Sequence, residues 1–260
     1  MASGDGLRIL LLHDTPDESL PALDALAGWL RRQGRLVGPE EAERWLVGKG
    51  KCGHPAPCLV SFDDGFESNV AAARLLERHG ARGLFFVCPG LMDLPAPDQR
   101  RAIAANIFDG SRTEAELPAT MRLLNWDEVA ALAGAGHAIG NHTLSHRRLS
   151  TLSRTDLETE IGVAAMLLAE RCPTPVRWFA FPFGDIGSVT PDVTIVAGRY
   201  HTFCRSGVRG ANREGTHPLA LRADHVGLSH PGSFQRLVAE GGLDMRYADA
   251  RRRLDAMAGG

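Results

Sequence analysis

Two adjacent carboxylates, Asp63 and Asp64, follow the apolar run Leu59 to Phe62 and stand directly before Gly65. Side by side at the end of a buried segment, two anions are costly unless positive charge sits between or beside them. The glycine permits a tight turn behind them. Read alone, the same residues serve equally as an Asp-rich turn capping the next helix. A second group, His142-Thr143-Leu144-Ser145-His146, sets two imidazoles four residues apart. On a turn of helix they share one face and can hold one metal ion, although histidines at that spacing also occur on solvated helices. Taken with Asp64, they make a set of one carboxylate and two imidazoles. Three protein ligands leave positions open for water and substrate, the pattern of a catalytic metal site rather than a structural one.

Such residues act together only if a fold gathers them. Short apolar runs at Leu7 to Leu12, Leu59 to Phe62, Gly83 to Cys88, His137 to Ile139, Trp178 to Phe181 and Tyr200 to Cys204 predict buried strands. Amphipathic stretches lie between them: Ser19 through Leu30, Asn69 to His79 closed by Gly80, and Asp127 to Leu132 closed by Gly134. Ser153-Arg154-Thr155-Asp156 resembles a capping box before a helix with Leu157, Ile161, Ala164, Ala165 and Leu168 on one face. Strand then helix, repeated, implies a parallel sheet with helices outside. The expected fold class is therefore α/β, a deformed (β/α) barrel of about seven parallel strands in one domain over residues 1–260. In that fold the C-terminal strand ends open on one side. His13, Asp63, Asp64, His142, His146, Pro182, Phe183 and Gly184 all fall just past apolar runs and are expected to converge there. Residues 91–120 contain Pro95, Pro97 and Pro118 and show no strong period, so they read as an insertion or lid-like excursion.

Composition narrows the partners. With 44% hydrophobic and 23% charged residues in 260, the chain can build a sizeable core, which excludes a disordered class. A formal charge of −2 supplies no field for nucleic acid or an anionic membrane. The run Arg251-Arg252-Arg253 reads as a solvated helix end and receives no function. No stretch reaches membrane-spanning length, and the run Ile9 to Leu12 lacks the basic leader of a signal peptide, so the expected location is cytoplasmic. Five cysteines make a poor disulfide framework. Cys52-Gly53-His54 with Cys58 lacks the second ligand pair that structural zinc requires and reads as a surface loop. Of the other histidines, His79 reads as a helix C-terminal residue, His137 as the edge of a turn, and His201 as part of a strand-like run.

The motifs in this order resemble the polysaccharide deacetylase family, the NodB-homology group of carbohydrate esterases. Phe62-Asp63-Asp64-Gly65 is similar to its first motif, His142-Thr143-Leu144-Ser145-His146 to its second, and Phe181-Pro182-Phe183-Gly184 to the tail of its third. The approach from Asn125-Trp126-Asp127-Glu128 through Gly136-His137 and Ile139-Gly140 is also similar, and the resemblance extends over about residues 7–240. It implies a metal-dependent hydrolase that removes the N-acetyl group from an N-acetylated sugar or polysaccharide. Asp64, His142 and His146 would hold one divalent ion, zinc first, with cobalt, nickel, iron or manganese also suited. Asp63 would be the base acting on metal-activated water, and the backbone of Pro182, Phe183 and Gly184 would help bind the substrate.

Departure of the amine requires an acid, for which the family uses a Leu-x-His motif near the C-terminus. Leu11-Leu12-His13-Asp14 matches it at the opposite end, as a circularly permuted member would, because the first and last strands of a closed barrel are neighbours. Leu228-Ser229-His230 has the usual position but no buried strand ahead of it, and His225 is a third candidate. The chain departs from the family in having Ala180 where an arginine is usual, with Arg177 out of register, and in lacking an Asp-rich fourth motif. Two alternatives stay open: hydrolysis of another carbon–nitrogen bond, in a formamide or ureide, and a catalytically silent carbohydrate-binding module. Retention of Asp63 opposes the second. Trp126 and Phe66 read as packing residues or as walls of a sugar groove.

Overall fold

The computed structural model describes residues 6–48 and 56–258, so Cys52, Gly53 and His54 lie outside the described residues. Strand β1 (Arg8–Leu12) reads Arg-Ile-Leu-Leu-Leu and β3 (Cys58–Phe62) reads Cys-Leu-Val-Ser-Phe, and every residue of both is buried. Continuous apolar strands of this kind suit a parallel sheet covered on both faces. Around them stand β2 (Leu36–Val37), β4 (Leu84–Val87), β5 (Ala138–Asn141), β6 (Trp178–Ala180), β7 (Phe203–Arg205) and β8 (Asp224–His225). The strand order is β7-β6-β5-β4-β3-β1-β8, with β2 beside β3 and all pairings parallel. The sheet curls until Leu221 bonds to Cys204 and Ser206 beside β7, while Asp224 and His225 pair with β1. This is the deformed (β/α) barrel expected.

The strand faces divide the core. Leu10, Leu12, Val60 and Phe62 pack outward against α1 (Leu20–Arg32) and α3 (Asn69–Arg78), whereas Ile9, Leu11, Leu59, Phe86, Trp178 and Phe203 share the second apolar cluster. Five of the six expected runs fall on strands with slightly shifted ends. The sixth is corrected: Tyr200 closes α9 (Pro191–Tyr200), and only Phe203–Arg205 is extended. Thr190 caps that helix with Pro191 behind it, a start signal that outweighs the β propensity of its Val and Ile residues. His201 accordingly follows the helix and is buried, not set in a strand. No fully buried strand was expected ahead of His230; the structure has β8 there, with Asp224 buried and His225 exposed, and two residues are too few to show a period.

Residues 91–120 form a packed insertion between β4 and β5. It holds α4 (Pro89–Met92), α5 (Ala96–Ala102) and a π-helical turn, Ile103–Ile107. Gln99 anchors it, donating to the carbonyls of Leu91 and Met92 and accepting from Leu123 N at 3.0 Å. Helices this short, interrupted by prolines and a π turn, cannot sustain a 3.6-residue repeat. Between β2 and β3 lies α2 (Pro39–Leu46), and α6 (Trp126–Gly134) precedes β5. The Ser153 box opens α7 (Arg154–Leu157), which passes through a second π turn, Glu158–Val163, into α8 (Ala164–Arg171). After β8 come α10 (Gly232–Ala239) and α11 (Ala248–Ala258). No helix among the described residues is long and apolar enough to cross a membrane.

Candidate active site

At the end of β3, Asp63 N still bonds to Leu12 O at 2.9 Å, and the chain then turns sharply, with Asp64 at φ 72° and Gly65 at φ 73°. Aspartate tolerates the left-handed region through local hydrogen bonding. Gly65 is required there, since a Cβ would lie 3.2 Å from Val87 Cα.

The histidine pair is not on a helix. Strand β5 ends at Asn141, and the following residues form an irregular loop with positive φ at Thr143 (70°) and His146 (60°). Backbone of this kind costs about 1–3 kcal/mol per residue unless its surroundings impose it. Buried Asn141 supplies part of that constraint. Its Oδ1 accepts from Thr143 N at 2.8 Å, and its Nδ2 donates to Ile161 O at 3.1 Å and lies 3.0 Å from His201 Nε2. Thr143 Oγ1 in turn accepts from His146 N at 3.0 Å. The loop achieves what a helical face would have done, placing the two rings 4.9 Å apart.

Nε2 of His142 lies 3.4 Å, and Nε2 of His146 3.3 Å, from the same Asp64 Oδ1. The three ligand atoms lie within 4.8 Å of one another, and all three residues are buried. His142 Nδ1 donates to Ala180 O at 2.9 Å and His146 Nδ1 to Asn106 O at 3.0 Å. A carbonyl only accepts, so each Nδ1 carries hydrogen and each ring turns Nε2 toward the Asp64 carboxylate, donating to it when protonated and offering a lone pair to an ion when neutral. With both rings neutral, three electron-rich atoms face one another and call for a cation, a proton or a metal ion, among them. Burial alone would push the Asp64 carboxyl up, but the imidazoles of His142 and His146 hold it well below the usual carboxylate range. Burial likewise lowers His146, and the facing Asp64 overcomes it and raises it. The donor set and its field therefore fit a divalent ion.

Asp63 has a partner that sequence reasoning missed. Arg205, fully buried on β7, donates Nη2 to Asp63 Oδ1. Its guanidinium lies 4.7 Å from the Phe86 ring centroid. Arg205 pairs in register with Ala180, so a guanidinium stands on the strand adjacent to the position where the family usually has an arginine. The available signal was an arginine ending the apolar run Phe203-Cys204. Arg205→Ala should strand a buried carboxylate and lower the unfolding free energy of the metal-free protein by about 3–5 kcal/mol, measured by denaturant titration. An unchanged midpoint would mean that Asp63 does not depend on this partner.

These groups meet in a cleft of about 440 Å³ lined by Leu11, His13, Asp14, Asp63, Asp64, Phe66, Ile107, Phe108, His142, His146, Phe183, Gly184, Gly207 and His225. Strand β1 lies between β3 and β8, which sets His13 on this wall with its ring 5.3 Å from that of His225. Burial first, then His13, pushes His225 down to about 4. Phe183, at φ 64°, packs its ring 4.8 Å from His146, with Arg148 4.2 Å above. A Cβ on Gly184 would stand 2.6 Å from Gly207 N.

Several expected groups lie elsewhere. Pro182 is buried and absent from the wall, and the His230 ring packs 5.0 Å from Phe234. Trp126 donates to Asp93 at 2.7 Å, whereas Phe66 does line the cleft. Arg177 pairs with Glu43. His137 follows the turn at Ala135 and Gly136, as expected, and is buried there: its Nδ1 accepts from Gly83 N at 2.9 Å and its Nε2 lies 3.0 Å from Glu77. His79 does end α3, bonded to Asp24.

A sequence model described as polysaccharide deacetylase matches residues 50–199, a span that contains Asp63, Asp64, His142, His146 and Phe183 and leaves His13 outside it. No curated protein sequence matches the chain. Among solved structures, IcaB from Ammonifex degensii is 22% identical with a TM-score of 0.69, over 92% of this chain and 97% of that one. The Streptococcus pyogenes deacetylase PplD, solved in complex with acetate, is 17% identical with a TM-score of 0.70, over 91% of this chain and 98% of its own. A de-N-acetylase from Aggregatibacter actinomycetemcomitans is 15% identical with a TM-score of 0.70, over 90% of this chain and 100% of its own. At these identities the likeness is one of fold.

Proposed function

Because the chain belongs to the polysaccharide deacetylase family, whose sequence model spans more than half of it, we propose that it removes the N-acetyl group from an N-acetylated sugar or polysaccharide. The observation that carries this reading is the cleft itself, where Asp64, His142 and His146 converge beside the Asp63–Arg205 pair and His13. Asp64, His142 and His146 would hold one divalent ion, zinc first. Such an ion supplies positive charge that polarises an amide carbonyl and acidifies water. Asp63, buried and oriented by Arg205, takes the proton from the water that attacks the carbonyl carbon. His13, on the wall formed by β1, gives a proton to the nitrogen as the carbon–nitrogen bond breaks, so that acetate and an amine leave. The turn at Phe183 and Gly184 offers backbone N–H groups to the carbonyl oxygen as it gains charge. The relatives described as deacetylases support this substrate class.

The test is acetate release from N-acetylglucosamine oligomers by metal-free protein, before and after reconstitution with zinc, cobalt or nickel. Acetate that appears only with metal is the expected result. Metal binding without acetate would redirect the reading to formamide and ureide substrates, which the same residues would serve. Turnover unaffected by chelator would remove the metal from the scheme.

A further inference from the structure

Both π-helical turns reach the loop that carries His142 and His146. A π turn carries one residue more than an α-helix needs, and such turns gather at functional sites. Here each delivers polar groups to the same serine. From Glu158–Val163, the buried Glu160 accepts from Ser145 N at 3.0 Å and from Ser145 Oγ at 2.6 Å, and its own carbonyl accepts from Leu144 N at 2.8 Å. From Ile103–Ile107, Asn106 donates Nδ2 to Ser145 O at 2.8 Å, and its carbonyl accepts from His146 Nδ1 at 3.0 Å. Ser145 is thus held at its nitrogen, its carbonyl and its hydroxyl, immediately before a ligand whose backbone is left-handed.

We propose that Glu160 and Asn106 are positioning residues for the metal centre, fixing through Ser145 the direction in which His146 presents Nε2 to Asp64, so that affinity for the ion depends on them. The inference rests on the reading of Asp64, His142 and His146 as metal ligands. A carboxylate with both oxygens on one serine outweighs a neutral amide there, because one of the two donors of Ser145 would meet an NH₂ group instead. Outer contacts that orient a ligating imidazole typically change metal affinity by about 10- to 100-fold.

The experiment titrates zinc into metal-free wild type, Glu160→Gln, Ser145→Ala, Ser145→Thr and Asp64→Ala, in competition with a chromophoric chelator, with circular dichroism on each. Glu160→Gln is expected to raise the zinc Kd by about 10- to 100-fold. Ser145→Ala should move it in the same direction, and Ser145→Thr, which keeps the hydroxyl, should stay near wild type. A purely structural role would lower the thermal midpoint of the metal-free protein and leave the Kd unchanged. A folded Glu160→Gln with wild-type Kd overturns the proposal. If that variant does not fold, an unchanged Kd in Ser145→Ala overturns it equally. Wild type and Asp64→Ala failing alike to bind zinc would instead remove the metal reading itself.

Discussion

Asp63→Asn is expected to keep its metal and lose about 100- to 10,000-fold in kcat for acetate release, the range that a positioned acid or base contributes. Asparagine has the same shape and its Oδ1 can still accept from Arg205, so the cleft should stay assembled around it. What disappears is a basic group that can take a proton from attacking water. The ligand set is kept, because both ring nitrogens lie 3.3–3.4 Å from Asp64 Oδ1, whereas Asp63 Oδ2 reaches only His142 Nε2, at 3.9 Å. The loss should therefore fall on kcat, with metal content by atomic absorption equal to wild type. Some loss of stability is expected as well, since Arg205 is fully buried and its counter-charge is removed. Undiminished kcat in metal-loaded Asp63→Asn would exclude Asp63 as the base.

How much of this was legible in the sequence depends on the range of the interactions involved. The chemistry-bearing residues stood out because each follows a buried run, and a parallel barrel sends such positions to one end whatever the helices do. His13 is the plainest case, placed beside β3 by β1 although it precedes the first carboxylate by fifty positions. What stayed hidden is long-range or too short to show a period. Arg205 reaches Asp63 across a separation of 142 residues, and its place at the end of the run Phe203-Cys204 does not say which carboxylate it meets. Strand β8 is two residues long. Glu160 looked like one more polar residue on an amphipathic helix, because a π turn leaves no compositional mark. For the histidine pair, four-residue spacing predicts a helical face, yet Asn141 and Thr143 fold those residues into a left-handed loop that brings the two rings together all the same.

The identity of the acid gives the sharpest remaining contrast among the histidines. His13→Ala is expected to lower kcat by about 100- to 10,000-fold with metal still bound, and His230→Ala to leave it near wild type. The reason is position: His13 lines the cleft with Asp63 and Asp64, whereas His230 does not line it and packs on Phe234. His225 shares the wall, but burial and the neighbouring His13 hold its pKa down at about 4, so near neutral pH it carries no proton to give. Leaving-group dependence separates an acid from a residue that only shapes the cleft. An amine must be protonated to depart, whereas a nitrophenolate leaves as the anion. His13→Ala should therefore lose far less on a nitrophenyl acetate ester than on an N-acetyl sugar. Equal losses on both substrates would make His13 a binding or packing residue, and a loss confined to His230→Ala would return the acid to the C-terminal Leu-x-His position.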